Sequence, residues 1–72
     1  MFRIGEFSKL TQVSVRMLRY YDEMELLKPA KVDKWTGHRL YSVEQIPRLN
    51  KILYLRDSGL KVSEIALALT LD

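Results

Sequence analysis

The chemistry in this chain is concentrated between residues 16 and 21, where Arg16, Arg19, Tyr20 and Tyr21 stand close together. An arginine guanidinium can fork onto a guanine edge or clamp a phosphate, and a tyrosine phenol can donate to a phosphate oxygen. These residue types point to a polyanionic partner that is bound rather than transformed. Catalysis has no comparable support. No nucleophile is paired with a base, no glycine loop is built for phosphate, and one histidine without any cysteine makes a poor metal centre. The acids Asp22, Glu23 and Glu25 read as a helix-end face and not as paired carboxylates. The expectation is a non-enzymatic binding protein without a cofactor.

An element must present those residues, and the local signals predict a helix. Ser14 is a good N-cap, because its hydroxyl can take an orphan amide of the first turn, and no Gly or Pro interrupts the residues that follow. Glu25 to Leu27 ends this helix, with Pro29 forbidding its continuation. At helical spacing Arg16, Arg19, Tyr20 and Glu23 share one face. Leu18 lies opposite, with Val15, Tyr21 and Met24 on its flanks. Upstream, Met1 to Ile4 suits a short β-segment, and Glu6 to Leu10 a first helix whose Phe7 and Leu10 lie three apart. Thr11 to Ser14 then reads as a tight turn with Val13 as an apolar plug, so the spacing is that of a helix-turn-helix.

Downstream the pattern changes to strand, turn, strand. Ala30 to Asp33 and His38 to Tyr41 flank the Thr36-Gly37 turn, with Val32 and Leu40 as inward candidates. This small hairpin carries Lys31, Lys34, His38 and Arg39, and it must lean on the helices, since a lone two-stranded ribbon is marginal. Trp35 reads as a partly exposed turn residue or a partner contact. Ser42 to Gln45 is a capping-box pattern for a third helix with a core stripe of Ile46, Leu49, Ile52 and Leu53, and Pro47 predicts an irregular or delayed start. Gly59 closes that helix. A last helix repeats Val62, Ile65, Ala66 and Leu69, with Lys61 or Ser63 as its cap. Lys9, Lys28, Lys31, Arg48 and Lys51 read as solvated charges.

Composition agrees with one small domain. The chain has 72 residues, a net charge of +3 and a hydrophobic fraction of 47%, enough apolar content to fold unaided. The basic balance suits a polyanion. No apolar run approaches the ~20 residues of a membrane span, no signal-peptide pattern opens the chain, and the absence of cysteine fits a reducing compartment, so a cytoplasmic protein is expected.

Several stretches, in order and spacing, resemble the N-terminal DNA-binding domain of MerR-family transcriptional regulators, most closely the multidrug-responsive members. They are Ile4-Gly5-Glu6, Val13-Ser14-Val15-Arg16, Leu18-Arg19-Tyr20-Tyr21, Leu26-Leu27-Lys28-Pro29, Gly37-His38-Arg39-Leu40-Tyr41-Ser42 and Glu64-Ile65. The resemblance implies a mainly α fold, a winged helix-turn-helix of about four helices with a small β-hairpin wing. It also implies that the second helix enters the major groove while the wing grips the flanking backbone. The residues expected at DNA are Ser14, Arg16, Arg19, Tyr20 and Tyr21 from the second helix, His38, Arg39 and Tyr41 from the wing, and Arg56 before the last helix. Departures from the family pattern are Gln12 in the turn, His38 before Arg39, and Lys61 where a capping hydroxyl is common.

The resemblance further implies a dimer that distorts double-stranded promoter DNA so that RNA polymerase can engage it. The long dimerisation helix and any effector-binding region are missing from these residues, so they are expected to be the monomeric DNA-binding portion, 1–72, of a longer regulator that senses any effector ligand elsewhere. Two alternatives differ in kind. One is a stand-alone DNA-architectural protein of the excisionase type, and the other is a helix-turn-helix module for protein interaction.

Overall fold

The chain lays down β1 (Phe2–Arg3), α1 (Ile4–Thr11), α2 (Val15–Glu23), β2 (Lys31–Val32), β3 (Arg39–Tyr41), a 3₁₀ turn (Val43–Gln45), α3 (Ile46–Asp57) and α4 (Val62–Leu69). These elements come from a computed structural model that describes residues 1–71. The architecture is the expected one, mainly helical with a small wing.

Each helix boundary has a local cause. Glu6 Oε1 accepts from the backbone N–H of Arg3 at 2.9 Å and brings a negative charge to the start of α1. Gln12 ends that helix in the left-handed region, φ 63°, its N–H returning to the Ser8 carbonyl at 2.9 Å. The turn between α1 and α2 is thus closed by a glutamine where a glycine would be unstrained. Ser14 caps α2 as its sequence predicts, its Oγ accepting from Met17 N–H at 3.1 Å.

The end of α2 falls at the start of the expected Glu25–Leu27 stretch, ahead of Pro29. Glu25 closes the helix by adopting φ 59°, while Leu26 N–H bonds the Tyr21 carbonyl at 2.8 Å and Glu25 N–H that of Asp22 at 3.0 Å. This is a Schellman closure with a glutamate in the usual glycine place. The same motif ends α3, with Gly59 at φ 92° and Leu60 N–H on the Leu55 carbonyl at 3.2 Å.

The Ser42–Gln45 box forms, but on the 3₁₀ turn. Ser42 Oγ accepts from Glu44 N–H at 3.1 Å and Gln45 Oε1 from Ser42 N–H at 3.0 Å. Pro47 falls in the first turn of α3, where no backbone donor is required of it. Both parts of the Pro47 expectation therefore hold, a late start and an irregular lead-in. At α4 the cap position is Lys61, whose N–H is taken by Glu64 Oε1 at 2.8 Å.

The wing is more than a hairpin. β1 pairs with β3 antiparallel, Phe2 opposite Tyr41, and β3 pairs with β2, Lys31 opposite Leu40, so the sheet has three strands in the order β1-β3-β2. This pairing ties the wing to the chain start and gives the marginal ribbon a third strand. Val32, expected inward, is 52% exposed, because β2 is an edge strand. In α1 Phe7 is buried and Leu10 is 50% exposed.

The core consists of Phe7, Val13, Leu18, Tyr21, Leu26, Leu27, Tyr41, Leu49, Ile52, Ile65 and Leu69, joined by partly buried neighbours that include Met17 and Ile46. Every helix contributes to it, so α2 is clamped from below with its basic side left outward.

Candidate nucleic-acid interface

Leu18 and Tyr21 fix how α2 sits, since both are buried in the core. On the outer side Val15, Arg16, Arg19, Tyr20 and Glu23 line one shallow open depression. Arg16, Arg19 and Tyr20 are exposed there, Tyr20 at 39%, with its ring tilted against that of Tyr21 at a centroid distance of 6.1 Å. The expected sharing of a face by Arg16, Arg19, Tyr20 and Glu23 is thus what the fold presents. Ser14 stands at the start of this helix, exposed, with its hydroxyl engaged in the cap.

Two long-range contacts tie that face to its surroundings. Asp22 Oδ2 accepts from Arg39 Nε of the wing at 3.1 Å, and Asp22 Oδ1 lies 3.6 Å from Lys28 Nζ. Only 17% of the Asp22 side chain is exposed, so this carboxylate pins β3 against the flank of α2. Tyr21, about 100° further round the helix, sends its hydroxyl to the end of α3, where Arg56 Nη1 donates to it at 3.4 Å. Arg56 also donates from Nε and Nη2 to Asp57 Oδ1 at 3.2 and 3.1 Å. Hydrogen bonding to Asp57, with the Tyr21 hydroxyl, raises the Arg56 pKa above the usual arginine value. Arg56 sits in the last turn of α3 and not in the following loop, and its charge is retained at the Tyr21 end of the basic face.

Tyr41 requires a correction. Its ring is 0% exposed and stacks on Phe7 with centroids 4.8 Å apart and planes 14° from parallel. The Tyr41 hydroxyl is enclosed without a hydrogen-bond partner among the described residues, and burial pushes its pKa up, with the Asp22 charge adding and Arg39 opposing. A hydroxyl in that position cannot reach a phosphate, so Tyr41 belongs to the core. Tyr21, also a candidate, is 2% exposed, with only its hydroxyl oxygen engaged toward Arg56. His38 and Arg39 stay exposed on the wing.

Three side chains had other roles than their sequence suggested. Asp22, read as part of a helix-end face, ties the wing to α2. Lys28 joins it and is not simply solvated. Arg48 donates from Nε to the Leu26 carbonyl at 2.8 Å, satisfying a backbone group of the loop that follows α2. The Arg39 partner of Asp22 is 17 residues away and the partner of Arg48 is a main-chain atom 22 residues away, so neither contact has a local sequence signal; Lys28 is within reach of Glu25 three residues before it.

The arrangement is an open, exposed helix face carrying Arg16 and Arg19, with a basic ribbon beside it. Among the described residues no group of acids and histidines is placed to hold a metal, and no helix is long and apolar enough to cross a membrane.

Comparison with known proteins agrees with this geometry. Residues 2–71 match the model of the MerR HTH family regulatory protein. The chain is 42% identical over 71 residues to the multidrug-efflux transporter 1 regulator of Bacillus subtilis, covering 99% of this chain and 26% of that protein. It is 40% identical over 62 residues to the HTH-type transcriptional regulator TnrA of the same organism, covering 86% of this chain and 54% of TnrA. Among solved structures, the Bacillus subtilis multidrug transporter activator N-terminus, MtaN, superposes with TM-score 0.80 at 34% identity over 90% of this chain and 60% of that one. EcmrR in its DNA complex superposes with TM-score 0.87 at 37% identity, over 99% of this chain and 26% of that one. The chain thus spans about a quarter of the length of the multidrug-efflux regulator. A basic face on α2, a wing docked to its flank and a family match across nearly every residue lead to one assignment: this chain belongs to the MerR HTH family of regulatory proteins.

Proposed function

We propose that these residues form the sequence-specific, double-stranded DNA-binding domain of a regulator that acts as a dimer on promoter DNA. The observation that carries this reading is the exposed set Arg16, Arg19 and Tyr20 on α2, held beside the exposed Arg39 of the wing by Asp22. A face of this kind offers base-edge readout from the helix and phosphate positioning from its surroundings. Ser14, Tyr21, His38 and Arg56 complete the proposed contacts. Tyr21 is the special case: its oxygen accepts from Arg56, so its own hydroxyl hydrogen is free to meet a phosphate. Tyr41 is not among them.

Distorting a promoter costs on the order of 1–6 kcal/mol for a smooth bend over such a site, so contacts spread across helix, wing and the end of α3 suit a protein that reshapes DNA for RNA polymerase. EcmrR, whose DNA complex has been solved, has this fold. An effector ligand would bind outside these residues. No enzymatic role is proposed, since the relatives are transcriptional regulators.

The test is selection from random duplex DNA with the domain joined to an antiparallel dimerising coil, followed by a salt titration on the enriched site. A dyad-symmetric site whose affinity falls steeply with salt is expected. No enrichment from the folded protein would overturn the reading, and tandem half-sites would exclude the dyad-bound dimer.

A further inference from the structure

Of the three acids that close α2, one has no partner. Asp22 engages Arg39 and Lys28, and Glu25 lies 4.0 Å from the same Lys28 ammonium. Glu23, between them, is exposed and makes no hydrogen bond or ion pair among the described residues. Arg19 stands one turn before it, yet the two do not pair, an arginine N-terminal to a glutamate being the weaker order for such a contact. Nor does Glu23 support the helix, because a carboxylate at the last position of α2 faces the negative end of the helix dipole.

What singles Glu23 out is its place. It lines the same open depression as Val15, Arg16, Arg19 and Tyr20, while Leu18 and Tyr21 are buried on the other side of the helix. At about 1.5 Å of rise per residue it stands about 10 Å from Arg16 along the axis, within the span of a major groove about 12 Å wide. A face that meets DNA through Arg16 and Arg19 brings this carboxylate to the bases as well.

Charge then decides what it can touch. A carboxylate accepts hydrogen bonds and donates none, so phosphates repel it, and so do guanine O6 and N7 and thymine O4. The donors in the major groove are the N4 amine of cytosine and the N6 amine of adenine. Adenine sets its acceptor N7 beside that amine, whereas cytosine presents the amine alone, so cytosine is the better match.

We propose that Glu23 is a specificity-determining residue of the α2 face: its carboxylate accepts from the N4 amine of one cytosine in each half-site, two helical turns from the contact made by Arg16. The arginines supply attraction, and Glu23 supplies rejection of the wrong base. This deepens the DNA-binding reading above and rests on it.

The test compares the parent with Glu23→Gln and Glu23→Ala, each joined to the dimerising coil. Glu23 is exposed and absent from the core, so neither substitution disturbs the fold. Selection from random duplex DNA gives the base preferences of each protein, and anisotropy of a fluorescein-labelled selected duplex and its single-base variants gives the affinities. In the parent, one position of the half-site should require cytosine, with binding about tenfold weaker when thymine or guanine replaces it. In Glu23→Gln the preference at that position alone should move to adenine, which a glutamine amide meets with both a donor and an acceptor. Glu23→Ala should be indifferent there. Both variants should hold an unrelated duplex more tightly, having lost a negative charge beside the phosphates.

Unchanged base preferences in Glu23→Gln, with uniformly tighter binding, would make Glu23 a solvated charge and overturn the proposal while the DNA-binding function stands. Loss of a guanine preference at a neighbouring position instead would overturn it in favour of a role in orienting Arg19. No enrichment by the folded parent overturns both readings.

Discussion

Asp22 of α2 and Arg39 of β3, 17 residues apart in sequence, meet at 3.1 Å through one carboxylate oxygen and the guanidinium Nε. Because the contact uses Nε, the remaining N–H donors of Arg39 are left for an anion while the side chain is held in direction. The acid thus positions a base without neutralising its outer edge, and it fixes the wing relative to the reading helix.

Asp22→Asn should therefore affect DNA affinity through Arg39 and stability only slightly. Arg39 is about half exposed and such a pair contributes no more than about 1 kcal/mol, so the thermal midpoint should fall by no more than about 8 °C. In a double-mutant cycle read by DNA affinity, Asp22→Asn should weaken binding in the parent and have no further effect beside Arg39→Ala. Additive losses would show that Asp22 does not act through Arg39.

Arg16 and Arg19 project from the exposed face of α2 and are absent from the core, so their removal should leave the fold alone. Replacing either with Ala should weaken binding to a selected site by roughly 1–3 kcal/mol for a good base contact and relax its sequence preference. Circular dichroism would establish that the variants are folded. Unchanged affinity in a folded variant would remove that arginine from the interface.

Tyr41 should behave as a core residue. Tyr41→Ala removes a fully buried ring stacked on Phe7 and should cost about 3–5 kcal/mol by denaturant titration. Tyr41→Phe deletes only an enclosed hydroxyl without a partner among the described residues, so stability should stay within ~1 kcal/mol of the parent or rise, with DNA affinity unchanged. A selective loss of affinity in Tyr41→Phe would restore Tyr41 to the interface.

The wing turn should depend on pH through Asp33. The amide of Trp35 first, then that of Thr36, holds its carboxyl below the usual carboxylate range, with help from Lys31 and His38. A depressed folded pKa means that the contribution is present above the unfolded value of about 3.9 and is lost as pH falls through the folded pKa. Amide resonances of Trp35 and Thr36, followed by NMR, should move with a midpoint below about pH 3.9, and Asp33→Asn should abolish that transition. A midpoint at or above that value would mean that the turn does not stabilise the carboxylate.

Much of this protein could be read without coordinates, because its strongest signals are local. The Ser14 cap, the Ser42–Gln45 box, the Gly59 closure and the alternation of basic and apolar residues on α2 each depend on neighbours within one or two turns of chain. The exposed face of Arg16, Arg19 and Tyr20 follows from helical spacing alone once Leu18 is buried.

What the tertiary structure decided is everything that depends on a distant partner. A strand of only three residues does not reveal which side is inward, so Tyr41 looked available until β1 paired with β3 and Phe7 closed over it. The local signals place the end of α2 at Glu25 to Leu27, but the left-handed closure at Glu25, beside the buried Leu26 and Leu27, is a conformation that glutamate would not choose on its own. Asp22, Arg48 and the Tyr21–Arg56 pair received their roles in the same way. Short-range stereochemistry wrote the reading helix into the sequence, and long-range packing determined what stands beside it.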